Sequence, residues 1–277
     1  MAAEVLKDVV TETNQEVHAE TAAQAEVHAG PHISIKGEEV FEVAGIHVTN
    51  SVITTSLVVI LFIFIAKYYY DQSRKTDRGL GFYAINTAVK GIYDLFESVL
   101  HKKINIFFPL LGAFFFFILL NNWSGLIPGV GTLLLKSVHD GVEHTVPLFR
   151  GGTADLNTTL ALALVSVIAT QIYGLRMIGL KSHVGKYLNF SSPISAFMGI
   201  LEVVQEFSRI LSFSFRLYGN IFAGEVLLSI IPFLLPMLLS FVSTPMYFME
   251  VFVGGVQALV FSMLTAVFIS MAISEHH

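Results

Sequence analysis

The chain has 277 residues, of which 54% are hydrophobic and 13% charged, with a mean hydropathy of +0.68. Soluble domains carry about 25% charged residues, so this chain has too little charge to cover a water-exposed surface and is expected to be a polytopic membrane protein. The absence of cysteine excludes disulfide scaffolds, thiol catalysis and cysteine metal sites, and a net charge of −5 argues against a nucleic-acid binder.

Residues 1–45 hold nine acids (Glu4, Asp8, Glu12, Glu16, Glu20, Glu26, Glu38, Glu39 and Glu42) against Lys7 and Lys36. Their net of −7 leaves +2 for the rest of the −5 chain. No basic segment with an apolar core opens the chain, so no cleaved signal peptide is expected. The segment reads as a solvated acidic tail, and the spacing of His18, His28 and His32 fits no metal-ligand pattern.

The first apolar run is 51–70, long enough to cross a hydrocarbon core of ~30 Å once. Tyr68, Tyr69 and Tyr70 at its end suit the aromatic belt of a membrane interface. Over 76–103, Phe82, Ile85, Val89, Ile92 and Leu95 recur at helical spacing amid lysines and acids, which predicts an amphipathic helix on the membrane surface. Further crossings are expected at 107–127, closed by Pro128-Gly129, and at 156–175. Loops 71–106 and 176–193 are richer in Lys and Arg than the tail or the 129–153 loop. The positive-inside rule then puts those two loops and the C-terminus in the cytoplasm and the acidic N-terminus outside.

Residues 194–231 contain no proline, and a straight helix of that length spans about 57 Å, far beyond one perpendicular crossing. With 237–273 it reads as a hairpin of two long, strongly tilted helices. The expected fold is therefore an all-α polytopic membrane protein. It has about five membrane-embedded helices plus one surface helix, in a membrane domain over 46–277.

Residues 194–273 contain no Lys and no Asp, yet hold Glu202, Glu206, Arg209, Arg216, Glu225 and Glu250. Ionisable groups inside membrane segments are costly and mark ion paths or functional pairs. At about 100° per residue, Glu202, Gln205, Arg209, Ser212, Arg216 and Asn220 form one stripe, and Glu225 falls on the opposite face. Glu250, Gly254, Gln257 and Phe261 share a stripe on the last helix. Three readings remain open on these residues alone: an interfacial polar face, a structural Arg–Glu lock, and an ion path with a fixed cation beside acidic relay groups.

Residues 208–228, SRILSFSFRLYGNIFAGEVLL, resemble the signature of subunit a of the F-type ATP synthase. FILLNNWSGLIPG (117–129), TADLNTTLALAL (153–164) and VQALVFSMLTAVFISMA (256–272) resemble the same family in the expected order. The resemblance implies a bacterial plasma-membrane stator that faces a rotating ring of c subunits. It would be held with the b subunits of the peripheral stalk and the rest of the complex. Two offset half-channels would pass protons, or Na⁺ in some members, to and from a ring carboxylate.

The resemblance implies that Arg216 takes the position of the family's essential arginine. A guanidinium stays protonated and cannot relay a proton, but it attracts the ring carboxylate and separates the half-channels. Glu225 and Asn220 then belong to the entry path, Glu250 is a proton-pathway residue at a position that is histidine in some members and glutamate in others, and Gln257 faces the arginine. Ser212, Arg209 and Glu202 belong to the cytoplasmic exit, and Asn122, Asp155 and Asn157 to polar positions on preceding helices. Two neighbouring acids, Glu225 and Glu250, stand where some relatives have a Glu/His pair, and two nearby carboxylates do not ionise independently. No cofactor and no resident metal are expected.

GVGTLLLKS (129–137) lacks the glycine that must precede the lysine of a phosphate-binding loop, since Leu135 stands there. ATP chemistry is therefore expected on other subunits. A free-standing secondary transporter is the alternative from another class, but its usual internal repeat is not found. A purely structural membrane subunit is the third.

Overall fold

The computed structural model describes residues 37–43, 46–127, 129–130, 134–139, 142–180, 185, 192–234 and 239–273. The acidic segment 1–36 with its three histidines, Lys181, Lys186 and the terminal residues 274–277 lie outside the described residues.

Among the described residues six α-helices carry the fold: α1 (Asn50–Ser73), α2 (Leu80–Leu100), α3 (Ile104–Ser124), α4 (Leu156–Ile178), α5 (Pro193–Leu234) and α6 (Leu239–Ile273). A 3-10 turn, His101–Lys103, joins α2 to α3 without a gap, and the two helices touch across it, Tyr93 of α2 donating to Asn105 Oδ1 of α3 at 2.8 Å. The backbone reversal there is carried by His101 at φ 48°. The α5 helix continues two residues past Pro232, where proline was expected to end it.

Four described helical stretches are long and apolar enough to cross a membrane: Asn50–Ser73, Leu80–Ser124, Leu156–Ile178 and Thr244–Ile273. The α5 helix is not among these four. At 42 residues it would measure about 63 Å if straight, so it cannot stand upright within one ~30 Å core.

Two antiparallel hairpins are additions that the sequence reading left as tail and loop. One pairs β1 (Glu39–Val43) with β2 (Ile46–Thr49), and the other pairs β3 (Leu134–His139) with β4 (Val142–Pro147). The sequence between β3 and β4 is Asp140-Gly141, and two residues of that type are the commonest tight hairpin signal.

Contacts fix the direction of every helix. The start of α1 meets the Asp155 region, where Ser51 Oγ donates to Asp155 Oδ2 at 2.6 Å. The start of α6 meets the end of α3, where Trp123 Nε1 donates to Val251 O at 3.1 Å and Tyr247 donates to Leu126 O. These ends and both hairpins form one pole, called here the hairpin pole. The α2 helix marks the other pole, where Phe96, Leu100, Ile104 and Phe107 pack on Ala266, Ile269 and Ile273 of α6.

Between the poles, Phe114 and Ile118 of α3, Ala163 of α4, Phe213, Leu217 and Ile221 of α5, and Ala258 and Phe261 of α6 form the core. Lipid is as apolar as leucine, so helices in a membrane associate through close packing of small residues and through interhelical hydrogen bonds. Both occur here: Ala163 and Ala258 are fully buried. Ser166 bonds Thr265 at 2.8 Å and Thr159 bonds Ser214 at 3.2 Å. The α1 helix by contrast exposes Leu57, Ile60, Leu61, Ile63 and Phe64 along its length, the surface expected of a peripheral membrane helix.

Candidate functional site

The loop before α4 reads Arg150-Gly151-Gly152-Thr153. A Cβ on Gly152 would overlap Thr55 Oγ1 and Asn121 Oδ1, and Gly125 approaches the Gly151 backbone so closely that its own added Cβ would stand 3.0 Å from Gly151 Cα. Only glycine lets this loop press between α1 and α3. Thr153 Oγ1 donates to Asn122 Oδ1 at 2.6 Å, and Asn122 Nδ2 donates to Gly254 O at 2.8 Å. Asn122 is therefore a buried bridge between the loop and α6, with both ends of its amide satisfied.

That loop aims Arg150 at α5. Its Nε lies 3.0 Å from Glu225 Oε1 and 3.2 Å from Oε2, and Nη2 lies 3.1 Å from Oε2. Arg150 is 6% exposed while the Glu225 side chain is 39% exposed, so the arginine is the rooted partner. In the sequence Arg150 is one of two Lys or Arg residues in the 129–153 loop, with nothing else to mark it for a site.

Glu250 is buried on α6, and Gly224 makes room for it: a Cβ at position 224 would coincide with the Glu250 carboxylate. Asn122, Arg150, Glu225, Ser229, Tyr247 and Glu250 all line one cavity of about 330 Å³ at the hairpin pole. Three residues expected on the ion path, Asn122, Glu225 and Glu250, thus come together.

Asp155 and Asn157 do not join them. They line a separate groove of about 530 Å³ with Thr49, Thr55 and Phe117. Asp155 is buried and caps α4, its Oδ1 accepting from the Asn157 backbone N–H at 2.9 Å. Asn157 itself is exposed.

A second polar group lies toward the α2 pole. Arg209 Nη1 donates to Glu206 Oε1 at 3.0 Å and Oε2 at 3.1 Å, and its guanidinium sits 3.8 Å above the Phe268 ring of α6. Gln171 of α4 bonds Glu206, and Glu202 lies near enough to act on it electrostatically. Glu206 was noted in the sequence as ionisable but not placed on the path. Its one-turn spacing from Glu202 and Arg209 was the available signal.

Between the two groups stands Arg216. It is exposed, as are Ser212 and Asn220 on the same face of α5, and its Nη2 donates to Ser212 Oγ at 3.2 Å. Among the described residues no carboxylate pairs with it. Asn220 lies one turn from Arg216 and outside the hairpin-pole cavity. Gln257 is half-buried on α6. Elsewhere on these two helices large apolar side chains are exposed, among them Phe207, Leu211, Phe215 and Leu227 of α5 and Phe248, Phe252 and Val256 of α6.

Among the described residues no three His, Cys, Asp or Glu side chains cluster as metal ligands. A family model described as ATP synthase A chain matches residues 51–270, most of the chain and all six helices apart from their outermost residues. The chain is a multi-pass membrane protein and belongs to the ATP synthase A chain family.

Proposed function

We propose that this chain is the proton-conducting stator of the ATP synthase membrane sector, working against a ring of c subunits. One observation carries the reading. Arg216 stands on the outward face of α5 with no carboxylate partner among the described residues, while Glu225, nine residues on, turns inward to a cavity. An exposed guanidinium in an apolar surface is costly unless an anion from another subunit meets it. A ring carboxylate is such an anion.

The polar groups divide accordingly. The cavity with Glu225, Glu250 and Asn122 serves as one half-channel, opening on the extracytoplasmic side. Glu202, Glu206 and Arg209, with Ser212 above them, serve the cytoplasmic side. The ring carries its loaded carboxyl from one to the other, and Arg216 forces it to discharge. One charge crossing 100 mV releases ~2.3 kcal/mol, and a direct path between the half-channels would dissipate it. Arg216 closes that path because its guanidinium does not give up a proton. Asp155 and Asn157, in the groove beside α4, support the walls of the extracytoplasmic side, and Gln257 and Asn220 flank the arginine.

The chain itself catalyses no ATP chemistry in this account. Its partners are the c-ring, the b subunits of the peripheral stalk and the rest of the complex, in a bacterial plasma membrane with the N-terminus outside. ATP-driven acidification of inverted vesicles in sodium-free buffer checks the ion. Undiminished pumping is expected, whereas pumping that appears only with added Na⁺ would establish the sodium-translocating form.

A further inference from the structure

Two carboxyl groups line the hairpin-pole cavity, and their surroundings differ. Glu225 is held by three N–H···O contacts of 3.0 to 3.2 Å from one guanidinium. That guanidinium is rooted in turn. The Arg150 backbone N–H donates to Thr54 Oγ1 at 3.2 Å, and its side chain lies 5.9 Å from the centre of the Phe222 ring. Glu38 adds a further negative charge within electrostatic range of Glu225. Glu250 is buried yet makes no ion pair or side-chain hydrogen bond among the described residues, and it faces the cavity on one side and Gly224 on the other.

Neutralising Glu225 would take from the buried Arg150 guanidinium the carboxylate it holds by three contacts, and removing one partner of a buried pair is the costly way to break it. Neutralising Glu250 disturbs no partner. We propose that Arg150 is a positioning residue that fixes Glu225 as a stationary wall of the half-channel, leaving Glu250 as the carboxyl that takes up and releases the proton. In each cycle a proton from cavity water forms an O–H bond on Glu250, and that bond breaks as the proton passes toward the ring. Glu225 changes no bond, and no electron is transferred. The proposal rests on the half-channel reading above and assigns unequal roles within it.

The test uses the whole complex in inverted vesicles, with ATP-driven acidification as the readout and assembly checked by immunoblot. Arg150→Gln is expected to lose pumping about 10- to 100-fold, the range for residues that orient a functional group from behind. Arg150→Lys should restore part of it, because the ammonium keeps the charge but not the fork. The double variant Arg150→Gln/Glu225→Gln should pump better than either single one, since both members of the pair are removed together. A purely structural contact would instead lower assembly on the immunoblot in step with pumping in Arg150→Gln. Glu250→Gln should abolish pumping in every background. If Arg150→Gln does not assemble, the comparison of the double variant with Glu250→Gln decides.

Wild-type pumping in Arg150→Gln, no recovery in the double variant, or retained pumping in Glu250→Gln would overturn the proposal. Arg216→Ala serves as the control. Retained pumping there would defeat the half-channel reading itself, whereas loss there with normal pumping in Arg150→Gln defeats only the role given to Arg150.

Discussion

Replacing Arg216 with alanine is expected to abolish ATP-driven proton pumping while the complex still assembles. The side chain is exposed, and its hydrogen bond within the chain is to Ser212, one turn away on its own helix. Its removal leaves no cavity in the core formed by Phe213, Leu217 and Phe261, so the stability of the chain should hold. In the proposed function, what is lost is the positive charge that meets the ring carboxylate in a low-dielectric setting, where preorganised charge has its largest effect. Removing one such group commonly costs a factor on the order of 10²–10³. Arg216→Lys should fail nearly as badly, because a desolvated ammonium releases its proton far more readily than a guanidinium does. Acidification of inverted vesicles, with subunit content checked by immunoblot, measures both. Normal pumping by an assembled Arg216→Ala complex would sink the account.

Gly224→Ala is expected to damage the hairpin-pole cavity and the packing of α5 on α6 together. A Cβ at this position would occupy the space of the Glu250 carboxylate. Either Glu250 swings away or the two helices part. Overpacking of this kind costs roughly 1–3 kcal/mol, and the displaced carboxyl belongs to the proposed proton path. Pumping should fall steeply and the midpoint of thermal unfolding of the complex should drop. Gly255→Ala on α6 is the matched control, because its added Cβ meets only Leu119 Cδ1 at 3.9 Å, an ordinary contact. Equal effects from the two substitutions would show that the close approach at Gly224 carries no particular weight.

Much of this architecture was legible because a membrane imposes length. Runs such as SLVVILFIFIA in α1 and AFFFFILL in α3 declare crossings by hydropathy alone, since every backbone polar group must be paired inside the hydrocarbon. The opposite facing of Arg216 and Glu225 was legible because nine residues at 100° each make half a turn more than two full ones. Their different exposures follow from it. The β3–β4 hairpin was not read, although Asp140-Gly141 marks its turn, because the flanking strands are short and mixed in character.

Arg150 was the larger omission. Its partner lies 75 positions away on another helix, and no periodicity links a loop residue to a helix face. Two glycines after it were the nearest signal that the loop enters the bundle. Asn220 shows the reverse limit. Its neighbourhood in the motif suggested the entry path, yet its side of the helix places it beside Arg216 and away from the cavity with Glu225.

The central claim is that the polar residues form two paths opening on opposite sides, with Arg216 between them. The chain has no cysteine, so single cysteines report cleanly. Ser229 lines the hairpin-pole cavity, and Glu202 lies with Glu206 and Arg209 toward the other pole. In sealed vesicles of known orientation, a membrane-impermeant thiol reagent should modify Ser229→Cys only from the extracytoplasmic side and Glu202→Cys only from the cytoplasmic side. Modification of both from the same side would contradict two offset half-channels.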